Sequence, residues 1–201
     1  LTQIMLRSGA EVAGYSLQDE DQSSHFNGLN IKKTITHYEG DICDSVKLKD
    51  AINEFKPDII FHLAAQALVK LAYDDPALTF STNVMGSLHL LQAVSSCESV
   101  KSLIYVTSDK CYENVEWVWG YRETDALGGH DPYSASKAAA ELVFSSYVRS
   151  FFKNRATLGS ASVRAGNVIG GGDYSANRIV PDCIRAIRSG IPLELRNPKS
   201  T

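Results

Sequence analysis

The chain has 201 residues, 44% hydrophobic and 21% charged, with a formal net charge of −3 and an isoelectric point near 6.0. That length supports one large domain with a substantial core. The balanced charge and the lack of a basic block exclude general nucleic-acid affinity, no apolar run approaches the roughly 18 residues of a membrane span, and no signal-peptide pattern is read at the start.

Four cysteines, Cys43, Cys97, Cys111 and Cys183, are widely scattered. They form no CxxC or Cys/His cluster of zinc spacing, so no metal site is expected. Reduced thiols suit a cytoplasmic protein, and Cys43, Cys97 and Cys183 read as small buried apolar filler.

In chain order, Leu1, Ile4 and Met5 read as the apolar face of a helix that Gly9 ends. Glu11–Tyr15 is a short strand. Residues 18–30, with Asp19, Asp21, Asn27, Gly28 and Asn30, read as a polar loop. Ile35–Tyr38 is a second strand, followed by Gly40, Asp41 and Ile42. Asp44 caps a helix whose buried side carries Val46, Leu48, Ala51, Ile52 and Phe55. Ile59–Leu63 is a continuous apolar strand, as in a parallel sheet covered on both faces, with His62 as a core histidine. Pro76 starts a helix over about 76–96. A strand follows at 102–107, then a loop. Asp131 and Pro132 open a helix to about Phe152. Ala161–Arg164 is a strand, Gly170–Gly172 a hairpin or loop, and 177–189 a helix ended by Gly190. Leu193–Leu195 starts like a strand.

Strands alternating with helices predict an α/β fold with a doubly wound parallel sheet. Ligands in such sheets bind beyond the strands' C-terminal ends. Asp41, Ala64–Gln66, Thr107–Asp109 and Ala165–Asn167 all sit there. A nucleotide fold of this kind opens with a strand and a glycine-rich turn before its first helix. Here the helix is present but the strand and turn are not, and Gly170–Gly172 lies several residues before its helix. The chain therefore reads as a piece of a longer protein.

The chemistry concentrates in two stretches. Thr107-Ser108-Asp109-Lys110 follows the apolar run Leu103–Val106. Tyr133-Ser134-Ala135-Ser136-Lys137 opens the helix that begins at Pro132. Tyr133 and Lys137 are four apart and share a helix face. A cation beside a phenol favours the phenolate, which can take a proton from an alcohol undergoing oxidation.

These residues name a family. Tyr133-x-x-x-Lys137 with a strand-end hydroxyl at 107/108, His62-Leu63-Ala64-Ala65, Asn83-Val84-x-Gly86 and Arg164–Val168 resemble the extended short-chain dehydrogenase/reductase family. Ser108–Tyr112 is similar to the active-site segment of its nucleotide-sugar 4,6-dehydratases. Glu116-Trp-Val-Trp-Gly-Tyr-Arg-Glu123 and Val163–Asp173 resemble the branch acting on CDP-glucose.

The resemblance implies a Rossmann-like NAD-binding domain over 1–168, lacking its first strand, and the start of a substrate-binding part over 169–201. It implies catalysis by Ser108, Asp109, Lys110, Tyr133 and Lys137. Tyr133 and Lys137 take the C4 hydroxyl proton, Asp109 assists loss of the C6 hydroxyl, and Lys110 inherits the C5 base role. A lysine base must be neutral, which requires burial or a nearby cation. NAD would lie against Asp41, Ile42, Leu63, Ala64, Ala65, Gln66, Asn83, Thr107, Tyr133, Lys137 and Val168. Substrate would meet Thr107, Ser108, Tyr133, Asn167 and Arg178, although one of the two hydroxyls could simply cap the strand end and Arg178 could be a solvated helix-start charge. The segment after the first strand offers no acid for the adenosine ribose until Asp19. Trp117 and Trp119 either close over the site or pack. Apolar residues beyond one stripe on the helices at 76–96 and 132–152, such as Leu88, Leu90 and Leu91, imply a homodimer.

Overall fold

The structure, a computed structural model, describes residues 1–19, 24–175, 177–195 and 198. Asp21, read as part of a polar loop, lies outside the described residues. The chain divides into two compact units, one of Leu1–Gln18 with Ile35–Gly166, the other of the described parts of Asp19–Thr34 and Asn167–Thr201.

The first unit carries five parallel strands. β1 (Ala13–Ser16) pairs with β2 (Thr36–Glu39), and β3 (Ile59–His62), β4 (Ser102–Val106) and β5 (Gly159–Val163) form a second sheet with β4 at its centre. The expected single sheet is thus two. In the doubly wound order the opening strand stands between the halves, and this chain opens on a helix. β3 is an edge strand of its sheet, and Ile59 and Leu63, read as covered on both faces, are exposed.

Helix α1 (Thr2–Arg7) ends at Gly9, whose φ of 81° is the left-handed conformation glycine tolerates. Its expected apolar face is not buried: Leu1 and Ile4 are exposed, and the helix packs only slightly on other elements. α3 (Ser45–Phe55) is capped by Asp44, whose carboxylate accepts from the Lys47 amide at 3.0 Å. Leu48, Ala51 and Ile52 are buried as expected, Phe55 is half-buried, and Val46, expected on the buried side, faces solvent.

A short helix α4 (Val69–Asp74) precedes the predicted helix from Pro76. That helix is α5 (Pro76–Phe80) and α6 (Gly86–Ser96), joined through one π-helical turn, Ser81–Met85, and capped by Asp75. α7 (Pro132–Tyr147) runs on into a π turn, Val148–Phe152. Leu90, Leu91, Val94, Leu103, Tyr105 and Phe144 form the centre of the core, with the Tyr105 and Phe144 rings stacked at 4.9 Å. Burying such side chains contributes roughly 1.5–3 kcal/mol each. His62 is a core histidine, 3.1 Å from the Ser87 hydroxyl, and burial pushes it down to about 3. Arg155 donates to the carbonyls of Val94, Cys97 and Val100, satisfying the end of α6.

All four cysteines are free. Cys97 and Cys111 are buried, whereas Cys43 and Cys183, expected as buried filler, are only half-buried.

In the second unit the expected 18–30 loop contains a helical turn, α2 (His25–Gly28), capped by Ser24, and a 3-10 turn, Ile31–Lys33, follows it. Gly170–Gly172 is loop, and α8 (Ile179–Ser189) ends at Gly190 with φ 64°. Residues 191–195 form no strand, contrary to expectation, and Leu193 and Leu195 are exposed.

Candidate active site

The β4–β5 ladder runs past the strands. The Thr107 amide donates to Val163 O at 2.8 Å and the Asp109 amide to Ala165 O at 3.0 Å. This seats a 3-10 turn, Asp109–Cys111, directly at the strand end. Ser108 caps the turn. Its hydroxyl accepts from the Lys110 amide at 3.2 Å and donates to Asp109 Oδ1 at 3.0 Å. Lys110 Nζ lies 3.5 Å from the same carboxylate oxygen, with the two side chains 41% and 53% exposed. Lys110 is therefore partly exposed and beside a carboxylate, not buried as a neutral lysine would need.

Buried Cys111 has its thiol pushed up to about 11 by burial. Beyond it the Glu113 amide meets Ala126 O and the Gly128 amide meets Cys111 O, closing an excursion over 113–126. Within it Tyr121 stacks on Tyr112 at 5.1 Å, and Trp117 packs on Tyr121 at 5.3 Å. Trp119 remains exposed.

α7 starts next. The Asp131 carboxylate accepts from the Ser134 amide at 3.0 Å, and Pro132 takes the first position, as its fixed φ allows. Gly129 lies so close to this turn that a Cβ would fall 2.5 Å from the Ala135 nitrogen. Tyr133 and Lys137 are both buried, with the ammonium 5.9 Å from the ring centroid. Burial lowers Lys137 to about 8. The turn Asp109–Cys111 packs against this helix.

Behind them, Asn83 on the π turn accepts from the Gln66 amide at 2.8 Å and donates to Gln66 O at 3.0 Å and Ser136 Oγ at 2.8 Å. One amide thus ties the end of β3 to α7. Leu63 and Ala64 are exposed past β3, Ala65 is half-buried and Gln66 buried. Past β2, exposed Asp41 accepts from the Cys43 amide. Ile42 is a core residue, packed so that a Cβ on Gly86 would fall 2.5 Å from its Cγ2. Thr107 is buried, and its hydroxyl donates to Glu141.

Glu141 and Ser136, given no role from sequence, sit in this buried layer. The available signal was the spacing: Glu141 interrupts an apolar helix four residues past Lys137. Glu141 pairs with Arg164 at 3.0 Å, and that bond holds the guanidinium above its usual value.

Asn167, Val168 and Arg178 belong to the second unit. Asn167 and Val168 are exposed, and Arg178 donates to Asp173 at 2.9 Å. The Ser175 amide holds the Asp173 carboxyl below its usual value. In the same unit Asp19 accepts from the Ser24 hydroxyl.

The model of the family described as GDP-mannose 4,6 dehydratase matches residues 1–189. The chain belongs to this family. It is similar to CDP-glucose 4,6-dehydratase of Salmonella typhimurium, 48% identical over 196 residues, 96% of this chain and 55% of that protein. It is also similar to the solved UDP-glucose 4-epimerase of Thermus thermophilus in complex with NAD, 31% identical, with a TM-score of 0.78 over 94% of this chain and 58% of that one. A dTDP-glucose 4,6-dehydratase from Streptomyces venezuelae shares the fold, with a TM-score of 0.80 at 22% identity, over 98% of this chain and 61% of that one. The chain spans about half the length of the curated relatives it matches. The Rossmann-like α/β fold expected from sequence is that of these two solved structures.

Two pairs of ionisable side chains stand out in the first unit. One is a buried phenol with a buried ammonium on the first turns of α7. The other is a carboxylate with an ammonium on the turn after β4.

Proposed function

We propose that the full-length protein is a CDP-glucose 4,6-dehydratase. It would be a lyase that converts CDP-D-glucose to CDP-4-dehydro-6-deoxy-D-glucose with NAD, serving deoxysugar (O-antigen and lipopolysaccharide) biosynthesis in the cytoplasm. The carrying observation is 48% identity over 96% of the chain to the Salmonella enzyme, a span that takes in every residue from Thr107 to Glu141.

The residues present fit part of a dinucleotide. Exposed Leu63 and Ala64 form a small apolar strip past β3, Asp41 offers an exposed carboxylate past β2 for hydroxyl groups, and Lys137 offers a cation. Ile42, Gln66 and Asn83 support that edge from within. No glycine-rich turn opening a helix occurs among the described residues, so none is assigned to the diphosphate. When bound, NAD supplies the hydride acceptor for C4 and the hydride returned to C6.

Tyr133 takes the C4 hydroxyl proton, with Lys137 favouring the phenolate. The ketone then acidifies C5. Asp109 protonates the departing C6 hydroxyl, which leaves as water, and Lys110 takes the C5 proton and returns a proton to C5 when C6 is reduced. Lys110 lies beside a carboxylate, so the working acid and base would arise together, by proton transfer from its ammonium to Asp109. Substrate closing over the half-exposed pair removes the water that keeps it ionic. Ser108, bonded to Asp109, orients the acid and meets the sugar, with buried Thr107 fixing the strand end beneath it. Asn167, Val168 and Arg178 are assigned to substrate and nicotinamide by the family resemblance.

The homodimer reading rests on exposed Leu78, Met85 and Leu142 on α5, the π turn and α7. Leu90 and Leu91 belong to the core and Leu88 is half-buried, so they contribute less than expected.

Incubating the full-length protein with CDP-glucose and NAD should give a 4-keto product, read by its base-induced absorbance, with UDP-, GDP- and dTDP-sugars turned over more slowly. Epimerised sugar without dehydration would overturn the reading. It would favour a 4-epimerase, a second reading supported by the 31% identical Thermus enzyme.

A further inference from the structure

We infer that Glu141 is a positioning residue: its carboxylate clamps the ends of β4 and β5 to the helix that carries Tyr133 and Lys137, with Arg164 as counter-charge and link to the 112–127 loop. The inference rests on the dehydratase reading for its kinetic readout.

Glu141 lies four residues past Lys137, on the same helix face. Its side chain is 4% exposed and Arg164's is 14% exposed. One carboxylate oxygen accepts from the Thr107 hydroxyl, and the other accepts from Ser162 Oγ at 3.1 Å and Arg164 Nη2 at 3.0 Å. Three donors from the ends of two strands thus converge on one helical side chain. Thr107 immediately precedes Ser108 and Asp109. Arg164 immediately precedes Ala165, whose carbonyl holds the Asp109 amide. The turn bearing the acid is therefore gripped on both sides by residues that Glu141 holds.

Arg164 extends the grip. Its Nη1 donates to Glu123 O at 3.0 Å, and its guanidinium stands 4.8 Å over the Tyr112 ring. Packing alone does not explain this arrangement. Apolar residues of similar volume often replace a buried ion pair without loss of stability. What the pair adds is a fixed relation between the helix with Tyr133 and Lys137 and the turn with Asp109. A misplacement of about 1 Å between reacting groups can cost about a hundredfold in rate.

The test uses the full-length protein with CDP-glucose and NAD. Glu141→Gln should lower kcat about 10- to 100-fold while KM stays within about threefold. It should also speed backbone amide exchange across 107–128, read by mass spectrometry. The double variant Glu141→Leu/Arg164→Met removes both charges and should recover much of the melting temperature, while kcat stays low and exchange stays fast. Thr107→Val, which removes one donor and keeps the ion pair, should lower kcat about fivefold with KM unchanged. Recovery of both turnover and slow exchange in the double variant would overturn the inference, as would a normal kcat in both Glu141→Gln and Thr107→Val. If wild type shows no dehydration, the dehydratase reading fails. The exchange measurement then decides by itself: fast exchange over 107–128 in Glu141→Gln upholds the clamp, and wild-type exchange rejects it.

Discussion

Lys137 pays an electrostatic penalty for its position. Burial takes its pKa from 10.5 to about 8, which amounts to a few kcal/mol, on the order of 3, against carrying the charge in the folded state. Below about pH 8 both folded and unfolded chains hold the proton, and the penalty is full. Between about 8 and 10.5 the folded state releases the proton first, so the penalty fades as pH rises. Lys137→Met should therefore raise the melting temperature at pH 7, by a margin that shrinks between pH 8 and 10.5, while turnover is lost. Melting curves across that range check it, and a destabilised variant at pH 7 would contradict it. His62 acts on the acid side. Its pKa is lowered from 6.5 to about 3 by burial, so the stability it contributes is lost as pH falls through that window. Tyr133→Phe should leave the fold intact and lower kcat by about 10²–10⁴, measured with CDP-glucose as substrate.

At the scale of elements, the start of α7 carries both a cap and a close approach. Asp131→Ala should cost about 1 kcal/mol by removing the bond to the Ser134 amide. Gly129→Ala should cost more, roughly 1–3 kcal/mol, because its Cβ meets backbone that cannot rotate away. Chemical denaturation of the two variants checks that order. Local signals of this kind are legible in sequence: Asp44, Pro76, Asp131 and Gly190 mark helix ends because each satisfies a backbone requirement that its neighbours cannot. The π turn at Ser81–Met85 leaves no such mark. One extra residue in a helical turn barely disturbs the apolar spacing, yet it is where Asn83 joins β3 to α7. Glu141 shows in sequence only as an acid in an apolar helix four residues past Lys137, since its partners Thr107, Ser162 and Arg164 come from distant sequence. Exposed Ile4 and Val46 show the converse, apolar residues in helical register that no second layer covers.

For the whole molecule, alternating strands and helices were enough to read a parallel α/β fold. They did not reveal that the strands divide between two sheets, because pairing depends on which strand fills the centre of the order. The proposed dimer would use the exposed apolar residues on α5, the π turn and α7. Leu142→Glu should convert a dimer to a monomer in light scattering at micromolar concentration, while a wild-type monomer would reject the assignment. The central claim concerns the fate of one hydrogen. With CDP-glucose deuterated at C4, the full-length enzyme should deliver the label to C6 of a 4-keto-6-deoxy product; label returned to C4 of an epimerised sugar, or left in unchanged substrate, would contradict it.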